Sequence, residues 1–134
     1  MRWVLDTNVI ISALLFDGLP EQLLLKSFNG PHQLVLSSYI ITETSRILEN
    51  KFGVESSDLL LLQQFLNENE LAYFDPFLDV LMDEPDNRIL ETAVKGRAQY
   101  VATGDKQLLA LKSYQGIEML TVAEGLELTK NLTT

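Results

Sequence analysis

The chain has 134 residues, 46% of them hydrophobic and 22% charged, which suits one globular domain over residues 1–134 and excludes general disorder. It has no cysteine and one histidine, His32, so disulfides, thiolate zinc sites and cysteine nucleophiles are excluded and catalysis would have to lean on carboxylates. A formal charge of −9 argues against broad electrostatic adhesion to nucleic acid but leaves room for a local site that binds cations.

Trp3-Val4-Leu5 reads as a short buried strand and Val9 to Phe16 as the helix after it, with Asp6-Thr7-Asn8 in the turn between. The opening residues reach Asp6 before a secretion signal could develop, and no apolar stretch approaches the roughly 20 residues of a membrane span, so a cytoplasmic protein is expected. Pro20 opens a second helix through Phe28, which Asn29-Gly30-Pro31 ends. Leu34-Val35-Leu36 is a second strand. Ser37 or Ser38 caps a helix running to about Phe52 and stopped by Gly53, and Ser56 or Ser57 caps a Leu-rich fourth helix. In that helix Leu59 to Leu62, Phe65 and Leu66 exceed one buried stripe, so either extra burial beneath Leu23 to Leu25 or a contact surface is implied. Leu71 to Phe74 is a weaker strand. After the acidic turn Asp83-Glu84-Pro85-Asp86 a helix carries Ile89, Leu90, Ala93 and Val94 and ends near Gly96. Tyr100 to Thr103 is a strand, Gly104-Asp105 a tight turn, and Lys106 to Leu111 a short helix. A last strand, Ile117 to Leu120, precedes a helix opened by the capping box Thr121 to Glu124. Short apolar strands alternating with helices predict an α/β fold, a three-layer α/β/α sandwich around a parallel sheet of four to five strands.

In such a sheet ligands gather where strands end and helices begin. Asp6 closes the first strand, Asp105 follows the strand ending at Thr103, and Asp86 opens the helix leading into that strand. Each alone could be a helix cap, which aspartate favours. Glu43 lies inside a helix, where spacing to Ile40 and Ile47 puts it on the core-facing side, although a stripe through Ile41 and Leu48 would exclude it. Four carboxylates in one partly desolvated cleft cannot all stay ionised unaided, so they hold protons or cations. With no histidine or cation built into the strand ends, all-oxygen ligands favour Mg²⁺ or Mn²⁺.

Val4-Leu5-Asp6-Thr7-Asn8-Val9, the helical Glu43, the run Asp83 to Ala93 and the block Tyr100 to Leu109 together resemble the PIN-domain family over nearly the whole chain. The resemblance is strongest to its stand-alone prokaryotic branch, of which VapC-type toxins are the best-known members. It implies a metal-dependent endoribonuclease on a parallel α/β/α sheet, with Asp6, Glu43, Asp86 and Asp105 as the catalytic and metal-holding acids. Asp83, one turn before Asp86, could exchange roles with it. Thr103 takes the family's hydroxyl position before the last acid, and Thr7 and Asn8 would support the carboxylates from the start of the first helix. Asp6 and Asp86 would anchor the principal ion, helped by Asp105, while Glu43 orients the attacking water or holds a second ion. Arg46, Arg88 and Lys106 are candidate phosphate contacts; Lys51 reads as solvated surface charge. The resemblance also implies self-association, as a homodimer or higher homo-oligomer, and a cognate antitoxin that blocks the cleft. A housekeeping RNA-processing nuclease would share the chemistry, and a non-catalytic binding module would keep the acids as caps.

Overall fold

The computed structural model describes residues 1–28 and 31–132, with the side chains of 131 and 132 left aside. Strand β1 (Arg2–Leu5) is buried beyond its first residue and ends on Asp6, whose carboxylate Oδ1 accepts the Val9 N–H at 2.8 Å and caps α1 (Thr7–Leu15). Thr7 and Asn8, expected in a turn, are therefore the first helical residues. Helix α2 (Leu19–Lys26) has Pro20 in its first turn and ends before the expected Phe28; the anticipated stop at Asn29-Gly30 lies outside the described residues.

Strand β2 (Gln33–Ser37) leads directly into α3 (Ser38–Phe52), capped by Ser37 and closed by Gly53 at φ 64°, a left-handed residue that glycine adopts without steric cost. Helix α4 (Ser56–Asn67) starts after Glu55 rather than at a serine cap, and β3 (Glu70–Ala72) sits slightly earlier than its apolar residues suggest. Helix α5 (Glu84–Lys95) begins after Asp83, with Pro85 in its first turn. Strand β4 (Tyr100–Ala102) stops one residue short of Thr103, and Asp105 caps α6 (Lys106–Leu111). Strand β5 (Ser113–Tyr114) was not anticipated. It pairs antiparallel with β6 (Ile117–Leu120) through a two-residue turn, Gln115 at φ 49° and Gly116 at φ 82°. Two successive positive φ values give that turn the twist of a tight hairpin. Helix α7 (Val122–Leu132) opens with the expected capping box: the Thr121 N–H donates to Glu124 Oε1 and the Glu124 N–H to Thr121 Oγ1.

Among the described residues the sheet has six strands in the order β3-β2-β1-β4-β6-β5, one more than the upper expectation, and every pairing except β5–β6 is parallel. Crossovers between parallel strands of one sheet are right-handed as a rule, and here the steps from β1 to β2 to β3 run one way along the sheet and those from β3 to β4 to β6 the other. Helices α1 to α4 therefore cover one face, joined by α7 packing on α2, and α5 covers the opposite face against β1, β2 and β4. The core between them is built on Val4, Leu5, Leu34, Val35, Leu36 and Val101, all fully buried. Between β1 and β4 the direction of travel reverses, leaving a crevice at the carboxyl ends of those two strands. No single helix among the described residues is long and apolar enough to cross a membrane.

Candidate active site

Asp6 and Thr103 follow β1 and β4, the two strands flanking that crevice. Because the strands pair in register from Trp3 with Tyr100 to Leu5 with Ala102, the residues just beyond them meet. The fully buried Thr103 hydroxyl donates to Asp6 Oδ2 and accepts the Asp105 N–H at 2.9 Å, tying the two acidic loops together. Asp105 turns Oδ1 back to the N–H groups of Gln107 and Leu108, at 2.8 and 3.0 Å. Burial raises the Asp6 carboxyl above the usual aspartate range, against the pull of its hydrogen bonds from Thr103 and Val9, and the charge of Asp105 adds to the rise.

From the opposite face, α5 delivers Asp86, which is 9% exposed. Its Oδ2 is buried with no hydrogen-bond partner. Burial first, then the charges of Asp105 and Asp83, a hydrogen bond with Asp105 and the charge of Asp6 push this carboxyl up to about 7. Asp83 precedes the helix without bonding it through its side chain and lines the same cleft, so the two acids differ in burial rather than in location.

Helix α3 brings the fourth acid. It buries Ile40, Ile41, Thr44, Ser45 and Leu48, so the stripe that excludes Glu43 is the one that forms. Glu43 is not core-facing; it stands half-exposed at the stripe's edge, toward the cleft, held by the Arg46 guanidinium at 2.6 Å. Its neighbour Ser37 accepts a hydrogen bond from the Thr92 hydroxyl at 2.8 Å, which fixes the start of α3 against α5.

Asp6, Glu43, Asp86 and Asp105 thus line one cleft of about 260 Å³, together with Thr7, Asn8, Asp83, Arg46 and Lys51. Lys106 stands on an adjoining hollow shared with Asp6 and Asp105. Arg88 lies outside the cleft lining: its Nε is 2.5 Å from Glu91 Oε1 and its Nη2 donates to the Leu78 carbonyl. Among the described residues no group of three or more acidic or histidine side chains forms a ready-made cation cage. Glu43 on Arg46 and Asp105 on its own helix show why: these two acids line the cleft while each is held by a partner of its own. The donor set still suits a hard divalent cation, since it is all oxygen and includes a buried, unpartnered carboxylate oxygen.

Sequence reasoning passed over Glu91. Fully buried, it accepts the N–H groups of Phe77 and Leu78 on Oε2 and pairs with Arg88 through Oε1, while Asn87 Oδ1 accepts from Val80 and Leu81. Together they fasten the irregular segment 73–83 to α5. The signal was the Arg88–Glu91 spacing of three next to a segment with no periodicity of its own.

A model of the PIN domain family matches residues 2–107. Among solved structures, VapBC-1 from nontypeable Haemophilus influenzae superimposes with a TM-score of 0.61 at 16% sequence identity, over 92% of this chain and 99% of that one, a likeness of fold. No curated protein matches the sequence. With a family model spanning most of its length and the strand order and acidic crevice described above, the chain belongs to the PIN-domain family.

Proposed function

We propose that residues 1–134 form one unit, a Mg²⁺- or Mn²⁺-dependent endoribonuclease that hydrolyses RNA phosphodiester bonds as the toxin of a type II toxin–antitoxin pair. The observation that carries this reading is the meeting of Asp6, Glu43, Asp86 and Asp105 in one cleft, with Asp86 Oδ2 buried there and unpartnered. A capping role would account for Asp6 and Asp105 but not for Asp86, whose carboxylate caps nothing, nor for Glu43 in mid-helix. Likeness of fold to VapBC-1 supports the toxin branch over a housekeeping nuclease.

Asp6 and Asp86 would hold the principal ion, with Asp105 beside them. When bound, a divalent ion supplies a nucleophile at neutral pH and offsets charge growing on the phosphate and the leaving oxygen. Thr103 keeps Asp6 turned toward the cleft and spaces it from Asp105. Glu43 orients the attacking water or helps with a second ion, and its release frees Arg46 for the phosphate. Leu60, Leu61 and Phe65 on α4 are exposed, which favours a contact surface over extra burial there. We assign that surface to a second copy of the chain in a homo-oligomer, and the acidic cleft to an antitoxin that blocks it.

The test is RNA cleavage in Mg²⁺ or Mn²⁺. Asparagine keeps the one acceptor that the helix cap at Val9 needs, so Asp6→Asn should abolish cleavage while leaving the circular-dichroism spectrum and cooperative unfolding of a folded chain. Undiminished cleavage by that variant would reject the assignment.

A further inference from the structure

A second hollow opens beside the acidic cleft, about 300 Å³ in extent, and the two share Thr7, Glu43, Pro85 and Ile89 in their linings. That is the lower end of the roughly 300–1,000 Å³ typical of ligand pockets, room for one flat group. The walls differ from those of the cleft: Ile40, Pro76, Pro85 and Ile89 are apolar, and the half-buried Tyr39 adds an aromatic ring. Tyr39 is held in place by stacking on Phe74, ring centroids 5.4 Å apart, and by the Arg88 guanidinium 6.0 Å from its centre. Its hydroxyl makes no hydrogen bond among the described residues, leaving one polar handle free within an apolar surround.

A flat apolar group with polar edges fits such a lining. A second phosphate does not, because Glu43 and Glu84 both face the hollow while its one cation, Arg88, is already committed to Glu91. On the ribonuclease reading, a strand whose phosphate lies at Asp6 and Asp86 reaches this hollow with its next group by crossing the shared rim at Glu43 and Pro85. We infer that this hollow is a nucleobase subsite, in which the base beside the scissile phosphate packs against Tyr39 and the exposed rings of Pro76 and Pro85, so that Tyr39 seats the strand whatever base it carries. The inference rests on the ribonuclease reading and adds to it a site for the base. Aromatic contact of this kind tolerates every base, since each has a π face, and is worth about 1–3 kcal/mol.

The experiment compares two ligands of equal length by fluorescence anisotropy with Ca²⁺ present: a labelled 2′-O-methyl phosphorothioate RNA and the same backbone with abasic positions. The parent protein should bind the base-bearing strand at least about tenfold more tightly. Tyr39→Ala should lose about tenfold on the base-bearing strand, about 1.4 kcal/mol, and nothing on the abasic one, while Tyr39→Phe keeps most of the preference. Equal loss on both strands would mark Tyr39 as merely structural. No loss on either would leave the hollow to another occupant, such as a protein side chain, and either result overturns the subsite. Equal affinity of the parent for both strands overturns the subsite while the ribonuclease reading stands; failure to bind either strand removes both.

Discussion

At the scale of single residues the site is governed by the cost of carboxylates that have lost water. Asp86 keeps its proton to about pH 7 in the metal-free fold, against 3.8 for an ordinary aspartate, so between those values the folded chain binds more protons than the unfolded one. Stability then falls as pH rises across that window and levels off above about 7. Asp86→Asn removes the ionisable group, so the metal-free variant should melt higher than the parent at pH 8 and nearly level with it at pH 4. A third of that rise surviving in the cleft would be on the order of 1 kcal/mol, or about 3–5 °C for a chain of this size. Mn²⁺ works the other way, because it binds the ionised form: it should stabilise the parent much more at pH 8 than at pH 5.5, and the variant little at either. A parent whose melting temperature does not depend on pH between 4 and 8 without metal would refute this account. Asp6 and Asp105 were legible in the sequence because each sits where a strand hands over to a helix. Glu43 was legible as a residue but not in its placement, since positions three and four apart are compatible with two stripes, and packing against α1 and α4 chose the one that leaves it at the edge.

Elements show a similar division between local signal and tertiary choice. The strands β1, β2, β4 and β6 and the caps at Asp6, Ser37, Gly53 and Thr121 were readable because apolar runs and capping side chains act over a few neighbours. Strand β5 was not, since two residues carry no periodicity and form a strand only because β6 offers a free edge. Segment 73–83 was opaque for a related reason: its backbone groups are satisfied by Glu91 and Asn87 from α5 rather than by a ladder of its own. That dependence is testable. Glu91→Ala takes from the largely buried Arg88 guanidinium its nearer carboxylate, leaving Glu84 at 3.6 Å, and strips two N–H groups of their acceptor, a loss of about 3 kcal/mol, the low end for a broken buried pair. Urea unfolding should show it, and amide exchange at Phe77 and Leu78 should quicken beyond what the global loss accounts for. Glu91→Gln, which retains an acceptor, should fall between. Unchanged exchange in that segment would mean something other than α5 holds it. Because Pro76 borders the hollow beside the cleft, loosening this segment should also reach the site.

For the whole molecule the governing fact is that a chain of charge −9 is asked to hold a polyanion. Most of its surface repels RNA, so attraction has to be local: Arg46 and Lys51 line the cleft and Lys106 flanks it, while Arg88 is spent on Glu91. Each phosphate neutralised on a single strand contributes a slope of about −0.7 to the dependence of log K on log salt concentration. With three cations at most, the slope should be no steeper than about −2, and shallower while Arg46 remains paired with Glu43. A basic nucleic-acid-binding surface with six to ten contacts would give about −4 to −7 on the same scale. Anisotropy titrations of non-cleavable RNA between about 50 and 200 mM salt at fixed Ca²⁺ separate the two regimes. Arg46→Gln should reduce the slope by less than one full contact, because the native side chain is only part-time on phosphate, whereas Lys106→Gln should remove close to one. A slope steeper than about −4 would place the RNA on a cationic surface away from this cleft, and with it the assignment of the four acids to RNA hydrolysis would fall.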